Sequence, residues 1–251
     1  MSIIGRLKFI KRIQAYRPGF LGLVMNPDYI TRRGLFKAVR SIAPLIKGNV
    51  LDFGCGSKPY EYLFVNATKY IGCDIQTSGH DHTESRVDVF YDGLTLPFSD
   101  ATFDSVVSFE VFEHIFNLPD VLSEIRRVTK PDGYLLITIP FAYEEHEVPY
   151  DFARYTCYGI STVLQTAGYE VIKNEKSGGY LLAVHQMLMI YIVRLLPKSK
   201  LLFNSVQALI LFPLTSFVLL LDLILPRHYD FYCNNIVLTK KRKEESSETP
   251  V

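Results

Sequence analysis

The chain has 251 residues, of which 48% are hydrophobic and 21% charged, with a formal net charge of +1. That length and apolar content suit one sizeable core carrying an elaboration, and the near-zero charge argues against nucleic acid as a bulk electrostatic partner. Four cysteines, at 55, 73, 157 and 233, form no Cys-x-x-Cys pair and read as reduced thiols of a cytoplasmic protein.

Residues 1–27 contain Arg6, Lys8, Lys11, Arg12 and Arg17 and no acid. Ile3, Ile4, Leu7 and Ile10 recur at helical spacing among them, as in a basic amphipathic arm on an anionic surface; an ordinary surface helix is the alternative. Charges interrupt the apolar residues every two or three positions, so no signal peptide is expected. A helix is predicted over 29–44, with Asn26 or Asp28 as its cap.

A strand over 48–53 runs into Gly54-Cys55-Gly56-Ser57-Lys58-Pro59. The two glycines permit a turn whose backbone N–H groups come close to a ligand, and Pro59 suits the first turn of a following helix. A second strand, 69–73, leads into Asp74 and Ile75, eighteen residues beyond Gly56. A carboxylate at the end of the second strand of an open parallel sheet can accept both hydroxyls of a nucleoside ribose. Nicotinamide and S-adenosylmethionine proteins share that geometry; Pro59, where a dinucleotide fingerprint wants Gly or Ala, weakens the first. His80-Asp81-His82 is a lone His-x-His in a polar loop and reads as solvated, so no metal is assigned.

Further strands are predicted at 86–89, 104–109 and 134–139, a helix over 119–129 opened by Pro119 and Asp120, and a helix from Thr156 or Tyr158 to Thr166 stopped by Gly168. Strands follow at Tyr169–Lys173 and 234–239. The alternation gives an α/β fold, a Rossmann-like doubly wound and mostly parallel sheet with a hydrophobic helical insertion before the last strand.

Asp52-x-Gly54-x-Gly56, Asp74, Asp92-Gly93-Leu94-Thr95-Leu96-Pro97-Phe98, Phe103 through His114, and Leu122-x-Glu124-Ile125-x-Arg127 through Pro131-x-Gly133 occur in this order. In these motifs the chain resembles the class I S-adenosylmethionine-dependent methyltransferases, specifically the type-11 methyltransferase domain, over roughly 28–176 plus the last strand. The family's third corner glycine is here Lys58. The resemblance implies S-adenosyl-L-methionine as cofactor. It implies that Gly54 and Gly56 face its methionine portion, with Asp52 orienting the loop or the amino group. Asp74 would take the ribose hydroxyls and Asp92 the adenine amino group, with Asp88 as competitor for the latter. Glu110 would border methionine and acceptor, and Cys55, Ile75 and Gly93 complete the cofactor-binding set. Cys55 and Cys73 read as packing groups.

After the fifth strand, Pro140 to Thr156 would lie at the carboxyl edge where acceptors sit, and His146 is the candidate general base, oriented by Glu145 or Glu147. Asp151, Arg154 and Tyr155 as a structural turn, with His146 merely solvated, is the alternative.

The organisation is then an arm (1–27), a methyltransferase domain (28–176 and 230–241), a hydrophobic helical insertion (177–229) and a disordered polar tail (242–251). Residues 201–221 carry no charge, and a final strand after them excludes a single membrane crossing. Peripheral contact with the inner membrane face, burial in a core or homodimer, and a spanning hairpin stay open. The acceptor expected is a small molecule, glycan or lipid-linked compound, with no nucleic-acid partner; a non-catalytic cofactor-binding or scaffolding protein is the runner-up.

Overall fold

A computed structural model describes residues 3–76, 85–197 and 199–243 of the chain. His80, Asp81 and His82 and residues 244–251 of the polar tail lie outside the described residues.

Seven strands form one sheet: β1 (Gly48–Phe53), β2 (Ala67–Ile75), β3 (Val89–Tyr91), β4 (Phe103–Phe109), β5 (Thr129–Pro140), β6 (Tyr169–Ser177) and β7 (Asn234–Lys241). Their order is β3-β2-β1-β4-β5-β7-β6, and the pairs β1–β2, β1–β4, β2–β3 and β4–β5 are parallel. The order reverses direction between β1 and β4, and in such sheets the crevice beyond the carboxyl ends of those two strands is where ligands bind.

The strands match the predicted ones in kind and order. The third begins at Val89 instead of 86, because the Arg86 N–H goes to the Gly56 carbonyl at 2.8 Å, outside the sheet ladder. The fifth begins at Thr129 and carries an irregularity: pairing with β4 jumps from Phe103↔Thr129 to Ser105↔Tyr134.

Two compact units emerge. One comprises Ile42–Ile139, His146–Asn174 and Val237–Val251 and holds most of the sheet. Its helix α4 (Leu118–Val128) buries Leu118, Val121, Leu122, Ile125 and Val128, the stripe that a 3.6-residue period puts on one face. Pro119 near its start, Asp120 in the first turn and Arg126 and Arg127 in the last suit its dipole. Arg127 donates to the carbonyls of Leu96 and Phe98 and to Asp100 and Glu124, all at 2.8–2.9 Å, so the Leu96-Pro97-Phe98 loop is pinned to α4. Helix α5 (Cys157–Thr166) is capped by Thr156, whose Oγ1 accepts the Gly159 N–H, and Gly168 follows it with φ +84°.

The other unit comprises Met1–Ser41, Pro140–Glu145 and Glu175–Ile236. It is helical: α1 (Ile3–Tyr16), α2 (Phe20–Met25), α3 (Tyr29–Ile42, its last residue beyond the unit), α6 (Tyr180–Leu195), α7 (Lys200–Val206) and α8 (Phe212–Ile224). A π-helical turn, Gln207–Leu211, joins α7 to α8. Of the polar residues that interrupt the apolar runs, His185, Gln186, Gln207 and Thr215 are buried, whereas Arg194, Asn204 and Ser205 are exposed. His185 Nε2 is 3.0 Å from Thr215 Oγ1, and Gln186 donates to the Pro27 carbonyl. Burial pushes the His185 imidazole down to about 4, so it is neutral at physiological pH. Across Gln207, Leu211, Thr215 and Val218 the buried stripe of the long helix is half polar. Leu209, Phe217, Leu220, Leu223 and Ile224 face outward, with Leu209 and Ile224 each 76% exposed.

Candidate functional site

The glycine corner follows β1. Gly54 has φ +70°, and a Cβ there would lie 2.4 Å from Val111 Cγ2, just past β4, so glycine is required twice over. The N–H groups of Gly54 and Cys55 both reach the Cys73 carbonyl, at 2.8 and 3.2 Å, which locks the turn to the end of β2. Gly56 N donates to Asp74 Oδ2 at 2.9 Å and Ile75 N to Asp74 Oδ1 at 2.8 Å. Each carboxylate oxygen offers a second lone pair, and Asp74 is only half-buried, so its outer edge can accept a diol. The free acceptor edge of this carboxylate fits the two hydroxyls of a ribose.

Asp52 lies beneath the corner, fully buried, its Oδ2 accepting the Tyr70 hydroxyl at 2.8 Å. Burial pushes its carboxyl up to about 7, against the opposing pull of that hydrogen bond. Burial likewise raises the Cys55 thiol, and that of Cys73 to about 12. All four cysteines are free, and the two at the corner pack as protonated thiols.

Lys58 adopts φ +53° and is buried, its ammonium paired with Asp88 and 5.9 Å from the Tyr70 ring centre. Gly72 leaves the room: a Cβ there would come 2.4 Å from Lys58 Cε. Asp92 is exposed, and its Oδ1 accepts the N–H groups of Leu94 and Thr95 at 2.8 Å each, which hold its carboxyl below the usual range. A Cβ on Gly93 would stand 3.2 Å from Ile75 Cδ1, so this loop reaches the β2 end. Glu110 follows β4 with φ +55°, its N–H donating to the Thr138 carbonyl at 3.0 Å. Asp52, Gly54, Cys55, Gly56, Asp74, Ile75 and Glu110 therefore gather at the carboxyl ends of β1, β2 and β4, with Asp92 and Gly93 past β3.

His146 stands in a second cluster that the sequence reading left unassembled. Its Nε2 is 3.8 Å from Glu113 Oε1 and its Nδ1 3.3 Å from Asp151 Oδ2, so Asp151, a carboxylate the sequence reading did not pair with it, stands at Nδ1. Arg154 holds Asp151 through both guanidinium nitrogens, at 2.5 and 2.6 Å. His114 packs edge-on against His146, ring centres 4.7 Å apart, with Nδ1 2.8 Å from the Tyr150 carbonyl and Nε2 3.7 Å from Glu113 Oε1. Glu113 is fully buried, and burial, followed by the charge of Glu110, raises its carboxyl well above the usual range. The available signal was the Glu110-x-x-Glu113-His114 spacing past β4, visible in the sequence but giving no distance to a histidine past β5.

Residues 51–137 match the family model described as a methyltransferase domain. A Mycolicibacterium smegmatis protein named "Probable S-adenosylmethionine-dependent methyltransferase" is 31% identical over 134 residues, covering 49% of this chain and 52% of that protein. A similarly named Mycobacterium tuberculosis protein is 32% identical over 97 residues, covering 37% of this chain and 35% of its own. The chain thus spans about a third to a half of the length of the curated relatives it matches. Among solved structures, a chain of the Haloferax volcanii complex between the Trm112 methyltransferase activator and a methyltransferase superposes with TM-score 0.54 at 17% identity, covering 95% of both chains. The [4+2]-cyclase SpnF superposes with TM-score 0.52 at 19% identity, covering 84% of this chain and 81% of its own. At such identities the likeness is one of fold, and the cyclase shows that this fold hosts more than one chemistry.

Proposed function

We propose that this chain, whose residues 51–137 match the methyltransferase-domain family model, is a class I S-adenosylmethionine-dependent methyltransferase that transfers a methyl group to a small-molecule, glycan or lipid-linked acceptor. S-adenosyl-L-methionine supplies an already activated methyl sulfonium, so the protein's task is alignment and, where the acceptor needs it, proton removal. The observation that carries this proposal is the Gly56–Asp74 bond, which sets a half-buried carboxylate beside the glycine turn at the sheet's switch point. Asp74 would hold the ribose hydroxyls, Gly54 and Gly56 would admit the methionine portion, and Glu110 would border it. Asp52 would support the corner from beneath. For Asp92 the adenine role requires its outward edge, since its Oδ1 is occupied by the turn. His146 would be the general base, with Nδ1 held by Asp151.

The outward apolar face of residues 200–224 favours a lipidic or membrane-presented acceptor and peripheral attachment to the inner membrane face. Its polar residues Gln207 and Thr215 are buried while Leu209, Phe217, Leu220, Leu223 and Ile224 are exposed, an apolar face larger than a soluble surface helix presents. By length and composition this helix could also cross a bilayer, but the segment starts and ends at neighbouring strands, β6 and β7.

Incubating the purified chain with methyl-labelled S-adenosylmethionine and membrane extract tests the proposal. Label transferred to the lipid or glycan fraction supports it. Tight cofactor binding with no transfer to any fraction would favour the non-catalytic alternative.

A further inference from the structure

We propose that Glu113, His114 and His146 form a binding site for a divalent first-row transition cation. Their three ligand atoms lie within 4.8 Å of one another, with Glu113 Oε1 3.7 Å from one imidazole Nε2 and 3.8 Å from the other. Donors bonded at about 2.0–2.2 Å to one ion stand roughly 3 to 3.5 Å apart, so the two Glu113–histidine pairs close by a few tenths of an ångström and the widest pair, within 4.8 Å, by up to about 1.3 Å, a side-chain adjustment.

Two independent features point to a ligand here. The first is Glu113 itself: it is fully buried, and among the described residues neither of its carboxyl oxygens accepts a hydrogen bond. A buried polar group with no partner costs free energy that a bound cation would remove. The second is the way the histidines are held. His114 Nδ1 faces the Tyr150 carbonyl at 2.8 Å, which places the proton on Nδ1 and turns the Nε2 lone pair toward Glu113. His146 Nδ1 faces Asp151, which Arg154 and the His146 backbone N–H hold in place. An acceptor on the far nitrogen is the outer arrangement that fixes metal-binding histidines; His114 has the Tyr150 carbonyl there, and His146 has Asp151 Oδ2 at 3.3 Å with Arg154 Nη2 beside it at 3.5 Å.

Two imidazole nitrogens and one carboxylate suit manganese, iron, cobalt or zinc; calcium and magnesium prefer oxygen alone. Three protein donors leave coordination positions open. A cation and a proton cannot both occupy the His146 Nε2 lone pair, so the loaded site would replace the general-base role of this residue.

The full chain, stripped with chelator, is titrated with Co2+ while visible d–d absorption reports inner-sphere imidazole. One equivalent should bind, His114→Ala and His146→Ala should each weaken binding at least tenfold, and Asp151→Asn should weaken it about 10- to 100-fold through the outer shell. Glu113→Gln should do the same; if burial makes that variant fail to fold, as circular dichroism would show, the two histidine variants carry the test. Titration with S-adenosylhomocysteine on the same samples reports the glycine corner separately, so loss of one site is distinguishable from loss of the other. The proposal is overturned if folded wild type binds no Co2+ at millimolar concentration. Unchanged affinity and spectrum in both histidine variants, or a thiolate charge-transfer band, would place the cation elsewhere and also overturn it.

Discussion

Lys58 and Asp88, thirty residues apart, pair across β2 over the gap left by Gly72. The lysine holds a left-handed backbone, φ +53°, that a glycine would adopt without strain. The pair offsets that strain: the ammonium is buried, and Asp88 Oδ2 also takes the Gly72 N–H at 2.7 Å. Lys58→Ala should lose the pair and keep the strain, whereas Lys58→Gly loses the pair and removes the strain. Chemical denaturation should therefore rank wild type above Lys58→Gly, and that above Lys58→Ala by about 1 kcal/mol, the cost of a left-handed L-residue. Equal stability of the two variants would mean the backbone strain is relieved some other way.

Asp74→Ala should weaken S-adenosylmethionine binding at least tenfold, since charge-assisted hydrogen bonds to a ribose contribute about 1.5 to 3 kcal/mol each. The same substitution frees the Gly56 N–H, so part of the loss is disorder in the corner. Asp74→Asn keeps one acceptor oxygen for that N–H and should fall between. Calorimetric titration decides; tight NADH binding by wild type, or equal affinities for all three proteins, would remove Asp74 from the ribose.

The parallel α/β sheet, both glycines, Asp74 and the Thr156 and Gly168 ends of α5 were legible in the sequence because each depends on neighbours within a few residues or on a motif of fixed spacing. Strand alternation and the Gly54-Cys55-Gly56 turn announce a parallel sheet with a ligand at its switch point. Three features were not legible. The partner of Lys58 depends on β2 lacking a side chain at Gly72, a relation across strands. The cluster of Glu113 and His114 with His146 joins residues past β4 to one past β5, and Asp151 comes to the histidine's Nδ1 from five residues on. The orientation of the 200–224 helix was hidden because an almost uniformly apolar run has no periodicity to reveal which side is inward.

Stability should fall with rising pH through the titration of Asp52. Its carboxyl is pushed up to about 7 in the folded chain, above the value near 3.9 of an unfolded aspartate, so between those values the folded state keeps a proton that the unfolded state has lost. The contribution is fully present below about pH 4 and is lost as pH rises through about 7, a span on the order of 4 kcal/mol. Urea denaturation at pH 5 and pH 8 should show the decline, and Asp52→Asn, which cannot ionise, should flatten it. A variant with the wild-type slope would assign the dependence to another group.

His146→Ala should lower turnover about a hundredfold or more, the range for a lost general base, while the affinity for S-adenosylhomocysteine stays within about twofold. His146 contacts Glu113 and Asp151 while the cofactor corner is held by the Gly56–Asp74 bond, so its effect should fall on turnover and leave the corner intact. Unchanged turnover would give the proton to solvent or to the acceptor itself. Lost cofactor affinity would instead make the loop past β5 a structural cover.

Flotation with anionic vesicles tests the apolar face. Leu209, Leu220 and Ile224 are largely exposed on one stretch whose buried residues include Gln207 and Thr215, so charges at the three leucine and isoleucine positions should not disturb packing. Wild type should float, and the triple variant Leu209→Glu, Leu220→Glu, Ile224→Glu should bind at least tenfold more weakly while remaining folded. Because inserted apolar area is insensitive to salt, high ionic strength should weaken only the part contributed by the basic residues of α1. Sedimentation of wild type in parallel separates the alternatives: a monodisperse dimer that never floats, and that the triple variant converts to monomers, would assign this face to a second copy of the chain instead of a membrane.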